Sequence, residues 1–162
     1  DNLTGRALTA ILGIHEPDIE ADVVIGDAHP HESSIRALVS GHRNIHLHFS
    51  VPTLATLIST ADLGIGAPGA TSWERICLGL FAVVITLAEN QRGLAEELHR
   101  LRLVRWLGHK DTVDDGTIRR ALEELLAAPR SPGSLAQVDV TVDGRGLGRV
   151  RDVVLGMSTE PQ

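Results

Sequence analysis

A chain of 162 residues, 43% apolar and 22% charged, is long enough for one domain with its own core. Its net charge is −6 and no Lys/Arg run covers a face, which argues against nucleic acid, whose phosphate backbone is held by clustered cations. With two Trp, two Phe and no Tyr, stacking platforms for single-stranded bases are excluded as well, and the core must be built from Leu, Val, Ile and Ala.

Three further features set the frame. No apolar run approaches the length of a bilayer span, and no signal peptide is visible. Cys77 stands alone, so a disulfide framework is not expected and a reducing, cytoplasmic compartment is. The chain opens on Asp1 rather than Met and reads as a fragment of a longer protein.

In chain order, residues 2–12 read as a helix with Asp1 or Asn2 as N-cap and Gly13 at its end. The apolar run 21–26 is a buried strand. Ser33 or Ser34 is expected to cap a helix through Ser40, stopped by Gly41. Residues 44–49 read as a second strand, 52–60 as a short helix, 62–66 as a third strand and 71–79 as a helix.

The run 81–87 is the strongest strand, apolar almost without a break, as in central parallel strands covered on both faces. Residues 90–101 and 117–127 are amphipathic helices, with a short strand at 104–107 between them. A Pro/Gly linker at 130–133 precedes a terminal helix over 146–155. This alternation predicts an α/β fold: a Rossmann-like parallel sheet flanked by helices, with ligands at the carboxyl ends of the strands. Because the chain opens on a helix, the first strand that should feed it is expected to be missing. A sheet without it would expose an edge open to self-association with another copy.

The segment 61–79 carries the most chemistry. A strand runs into a loop of small residues, Gly66-Ala-Pro-Gly69, and the loop into a helix that begins Ala70-Thr71-Ser72. Small side chains let a ligand approach the backbone, and a helix N-terminus offers unpaired N–H groups and a positive dipole end. Ala70, Thr71 and Ser72 therefore suit a diphosphate, and Glu74 in the first turn suits a vicinal diol such as ribose. On pattern alone an ordinary helix cap, with Glu74 complementing the dipole, explains the same residues equally well. The loop is neither a Walker A loop nor a dinucleotide fingerprint.

The run ADLGIGAPGATSWERICLGLFAVVITLAENQ (61–91) closely resembles the hydrolase family of the pseudaminic-acid pathway, to which spore-coat polysaccharide proteins are related. The segments VDGRGLGRV (142–150) and DNLTGRAL (1–8) resemble the same family's closing and opening motifs. Family members cleave UDP-2,4-diacetamido-2,4,6-trideoxy-β-L-altropyranose and are similar in fold to GT-B glycosyltransferases.

The resemblance implies the C-terminal half of a GT-B-type fold, a single UDP-sugar-binding domain over 1–162. It implies that Glu74 binds the ribose hydroxyls, that Gly69, Ala70, Thr71 and Ser72 hold the diphosphate, and that the backbone of Val51 touches uracil. It implies too that Asn90 and Gln91 face the phosphate or sugar. Phe81 departs from the family, many of whose members have Pro at this strand start. The reaction implied is attack of water at the anomeric carbon with loss of UDP. The family's catalytic His belongs to an N-terminal domain with no counterpart here, so no catalytic residue and no cofactor is assigned, and the isolated chain is expected to be inactive. A glycosyltransferase using a UDP-activated amino sugar, or a binding module that has lost the chemistry, are the alternatives.

Other candidates carry less. His29/His31 and His46/His48 invite a metal, yet neither pair is completed at zinc spacing, and loop or surface histidines are expected instead. No Gly-x-Ser-x-Gly surrounds Ser72, Cys77 is expected to pack in its helix, and Trp73 reads as a packing residue.

Overall fold

A computed structural model of the chain describes residues 2–15, 18–127 and 142–156. Among them lie α1 (Leu3–Leu12), β1 (Ala21–Ile25), α2 (Glu32–Val39), β2 (Ile45–Phe49), α3 (Ala55–Thr60), β3 (Gly64–Gly66) and α4 (Ala70–Cys77). They are followed by β4 (Ala82–Thr86), a 3₁₀ turn (Glu89–Gln91), α5 (Arg92–Arg100), β5 (Val104–His109), α6 (Asp115–Ala127) and α7 (Gly146–Val154). The fold is the expected α/β arrangement, with every strand pair parallel and helices on the faces. The linker expected at 130–133 lies outside the described residues.

Local chemistry explains most boundaries. Asn2 is the cap of α1, its Oδ1 accepting from the Gly5 N–H at 2.9 Å. Asp114 does the same for α6, accepting from the Thr117 N–H at 2.6 Å, so that helix starts two residues before the expected one. α2 differs from expectation. It starts at Glu32 with His31 in the cap position and no side-chain cap bond, so neither Ser33 nor Ser34 caps it. Glu32 in the first turn instead pairs with Arg36 at 2.8 Å, an i,i+4 ion pair that favours an earlier start.

The sheet is divided. β1 pairs with β2 from Ala21 opposite Ile45 to Ile25 opposite Phe49, and β3, β4 and β5 form a separate three-stranded sheet. Among the described residues β1 and β3 are not hydrogen-bonded to each other, and each keeps one edge unpaired. α1 packs on both sheets: Leu8 joins Ile25, Ile35 and Ile45, Ala10 joins Val83, Ile85 and Ile118, and Ile11 touches both clusters.

In β4 all five residues are buried, and alternate side chains face opposite layers. Val83 and Ile85 meet α1 and α6, while Ala82 and Val84 meet Ile76 of α4 and Ala95 and Leu98 of α5. The closing motif returns to this second layer, where Val142 packs against the cluster that holds Ile76, Val84 and Leu98. Gly144 has φ +71, a conformation that favours glycine, and a Cβ there would press against the Cys77 Sγ at 3.3 Å. No helix among the described residues is long and apolar enough to cross a membrane.

Candidate functional site

The loops after β2, β3 and β5 all leave from strand carboxyl ends, the edge where parallel α/β sheets bind ligands. Two clefts open there. The larger, about 640 Å³, lies between α1 and residues 110–116. Two cations, Arg6 and Lys110, line it, and Arg6 is consumed within it, donating to Asp115 at 2.9 Å, to the Lys110 carbonyl at 3.0 Å and to the Val113 carbonyl. Asp111, Asp114 and Asp115 line the same cleft and disfavour an anion.

The second cleft, about 540 Å³, has residues 51–55 on one wall and Thr71, Glu74, Cys77 and Leu78 of the α4 segment on the other. It brings Val51 together with Thr71 and Glu74 of α4, which lie well apart from it in sequence. Cys77 is partly exposed on this wall and is not fully packed into its helix. Trp73 also departs from expectation. Ser72, Arg75 and Ile76 occupy the buried face of α4, and Trp73 is left 41% exposed beside it.

Val51 follows a constrained turn. Ser50 has φ +50, a region costly for a residue with a Cβ, and its hydroxyl donates to the Asp27 carboxylate of the loop after β1. That bond ties the loops after β1 and β2 together and fixes the direction in which the chain enters the cleft wall.

The turn before α4 is closed reciprocally. The Gly69 N–H donates to Ser72 Oγ at 3.3 Å, and the Ser72 N–H donates to the Gly69 carbonyl at 2.9 Å. Ser72 is 1% exposed, so its hydroxyl is built into the turn. As the first two helical residues, Ala70 and Thr71 have N–H groups with no intrahelical acceptor. A Cβ placed on Gly69 would meet nothing within 4 Å, and its φ of 170° is ordinary extended backbone.

Beneath this turn lies Arg75, which sequence reasoning missed. It is 6% exposed and donates from Nε to the Thr71 carbonyl at 3.2 Å and from Nη2 to the Ala67 carbonyl at 3.1 Å. Burial pulls its pKa below the usual guanidinium range, opposed by the charge of Glu74. β3 makes room for it. A Cβ on Gly64 would lie 3.3 Å from Arg75 Cδ, and one on Gly66 would lie 3.5 Å from Nη1. A glycine at 64 on a short strand, close against an arginine one turn into the next helix, is the signal that could have found it.

Asn90 and Gln91 sit in the 3₁₀ turn after β4. Gln91 Oε1 accepts from the Leu87 N–H at 2.8 Å and holds the strand exit, while Asn90 is exposed. Of the histidines, His46 is exposed and His48 Nε2 lies 2.6 Å from Asp22 Oδ1. No three His, Cys, Asp or Glu side chains gather at metal-binding distance among the described residues.

The fold is that of a GT-B-type glycosyltransferase domain. A solved glycotransferase of kitacinnamycin superposes with a TM-score of 0.69 at 21% identity, over 98% of this chain and 40% of that one. The spinosyn rhamnosyltransferase SpnG, solved with spinosyn aglycone, gives a TM-score of 0.62 at 21% identity, over 94% of this chain and 36% of that one. In sequence, the chain is similar to the spore coat polysaccharide biosynthesis protein SpsG of Bacillus subtilis (strain 168). The two are 26% identical over 132 residues, covering 81% of this chain and 39% of SpsG. The chain thus spans about two fifths of the length of these relatives. No protein-family profile matches it.

Proposed function

We propose that this chain is the UDP-holding half of an enzyme acting on a UDP-linked amino sugar, a hydrolase of pseudaminic-acid or surface-polysaccharide biosynthesis. The observation that carries the reading is the cleft in which Val51, Thr71 and Glu74 meet beside the N-terminus of α4. In it the backbone of Val51 meets uracil, Glu74 accepts from the ribose hydroxyls, and the diphosphate rests on residues 69–72. Ala70 and Thr71 supply free N–H donors, and Gly69 supplies open space. Asn90 lies toward the sugar, with Gln91 shaping that loop.

In this reading water attacks the anomeric carbon and the C–O bond to the β-phosphate breaks. The electron pair leaves on UDP, whose growing charge the α4 N–H groups stabilise. The base that takes the water's proton belongs to an N-terminal half of the same enzyme. The missing first strand of the UDP-holding half would feed α1, and we place it between the unpaired edges of β1 and β3. A free edge of that kind equally suits pairing with a second copy. The similarity to SpsG supports a polysaccharide pathway. The two glycosyltransferase neighbours favour a second reading in which the UDP-activated sugar passes to an acceptor instead of water.

Calorimetry with UDP tests the site. Glu74→Ala is expected to weaken UDP about tenfold, the scale of lost hydrogen bonds to a charged acceptor. Its effect should be much smaller on the 2′,3′-dideoxy analogue, which offers no diol. Equal losses for both ligands would remove Glu74 from the ribose.

A further inference from the structure

Arg75 is a buried cation with an unusual set of partners. At 6% exposure it is well removed from water, yet no salt bridge to it is found among the described residues. Its short hydrogen bonds go to two backbone carbonyls, and a third, at 3.5 Å, reaches Ser72 Oγ. Carbonyls orient a guanidinium without neutralising it. A buried charge left in that state is costly unless another charge completes it. Its two anchors, Ala67 and Thr71, bracket Gly69 and Ala70, so one rigid fork holds both ends of the turn. The same fork steadies Ser72, whose oxygen accepts from the Gly69 N–H.

We propose that Arg75 is the positioning residue of the diphosphate site: its guanidinium clamps the 67–72 turn from below and keeps there, for the diphosphate, a positive charge that no salt bridge among the described residues neutralises. The inference rests on the reading of residues 69–72 as that site. It adds a long-range electrostatic part to what the helix N–H groups do by direct contact. It also explains why β3 carries glycine at 64, where a Cβ would crowd the arginine, 3.3 Å from its Cδ.

The test compares UDP with uridine, which lacks the phosphates, on the whole chain. Wild type is expected to bind UDP more tightly than uridine. Arg75→Lys keeps a charge and loses the fork, and Arg75→Met loses both. UDP affinity is expected to fall about tenfold in the first and further in the second, the scale of a lost charge-assisted interaction. Uridine affinity should move less than about twofold, since a merely structural role would weaken both ligands alike.

In wild type, the Arg75 Nε–H resonance should shift on adding UDP and stay in place with uridine. This arm needs no variant to fold. The proposal is overturned if a folded variant loses UDP and uridine in equal proportion, or keeps its UDP affinity, or if the Nε–H signal ignores UDP that demonstrably binds. Wild type that binds no UDP overturns the parent reading instead, and this inference with it.

Discussion

Replacing Gly69 by valine is expected to abolish most UDP affinity, at least about tenfold, while leaving the melting temperature within a degree or two of wild type. The physical case rests on what the fold does not ask of this position. Gly69 has an extended φ of 170° that any residue adopts, and a Cβ there would meet no protein atom within 4 Å. Its neighbours differ. Gly64 is hemmed in by Ala82, Leu80 and Arg75, and Gly144 needs its positive φ. Folding explains those two glycines and leaves Gly69 unexplained. A ligand passing over the turn would occupy the empty space, and a branched side chain would block it. Parallel UDP titrations and thermal melts separate the two effects. A large fall in melting temperature, or unchanged UDP affinity, would show that nothing passes over Gly69.

The second large effect concerns stability. Ile85→Ala is expected to destabilise the domain by about 2–5 kcal/mol, a large share of the roughly 5–15 kcal/mol that holds most domains folded. Ile85 is 0% exposed and sits where β4 meets α1 and α6, packed with Ala10, Ile118 and Leu122. These elements close tightly around the central strand, so the truncation leaves a cavity that cannot collapse. Urea unfolding measures the loss as a lower midpoint at an unchanged slope. A change below about 0.5 kcal/mol, the scale of a surface substitution, would contradict the packing described for that layer.

Much of the architecture was legible in the residues. The run at 81–87, apolar almost without a break, read as a strand covered on both faces, and all five residues of β4 within it are buried. The apolar spacing of α5 put Ala95 and Leu98 inward, and both are core residues. Other features were hidden for physical reasons. Serine is a strong N-cap former, but a first-turn Glu32 paired with Arg36 moved the start of α2 ahead of both serines. The division of the sheet depends on which strand edges find partners, a long-range outcome that a periodic pattern does not encode.

The candidate site divides in the same way. The turn at 69–72 and Glu74 stand out locally because small residues and a helix start are sequence signals. Arg75 does not, because an arginine in a helix normally points to water, and this one lies inside only because Gly64 of β3 leaves room for it. The second wall of the cleft, residues 51–55, meets α4 only through the fold. Ser50 and Asp27, which steer that wall, carry no motif at all.

The central claim is that UDP sits with its diphosphate on the N-terminus of α4. The most direct test is a titration of the chain with UDP followed through its backbone amide resonances. The Ala70 and Thr71 amides should move most, as their N–H groups gain phosphate acceptors, with Val51 and Glu74 moving alongside them. Saturable shifts confined to the Arg6 and 110–116 cleft, with Ala70 and Thr71 unmoved, would contradict the account.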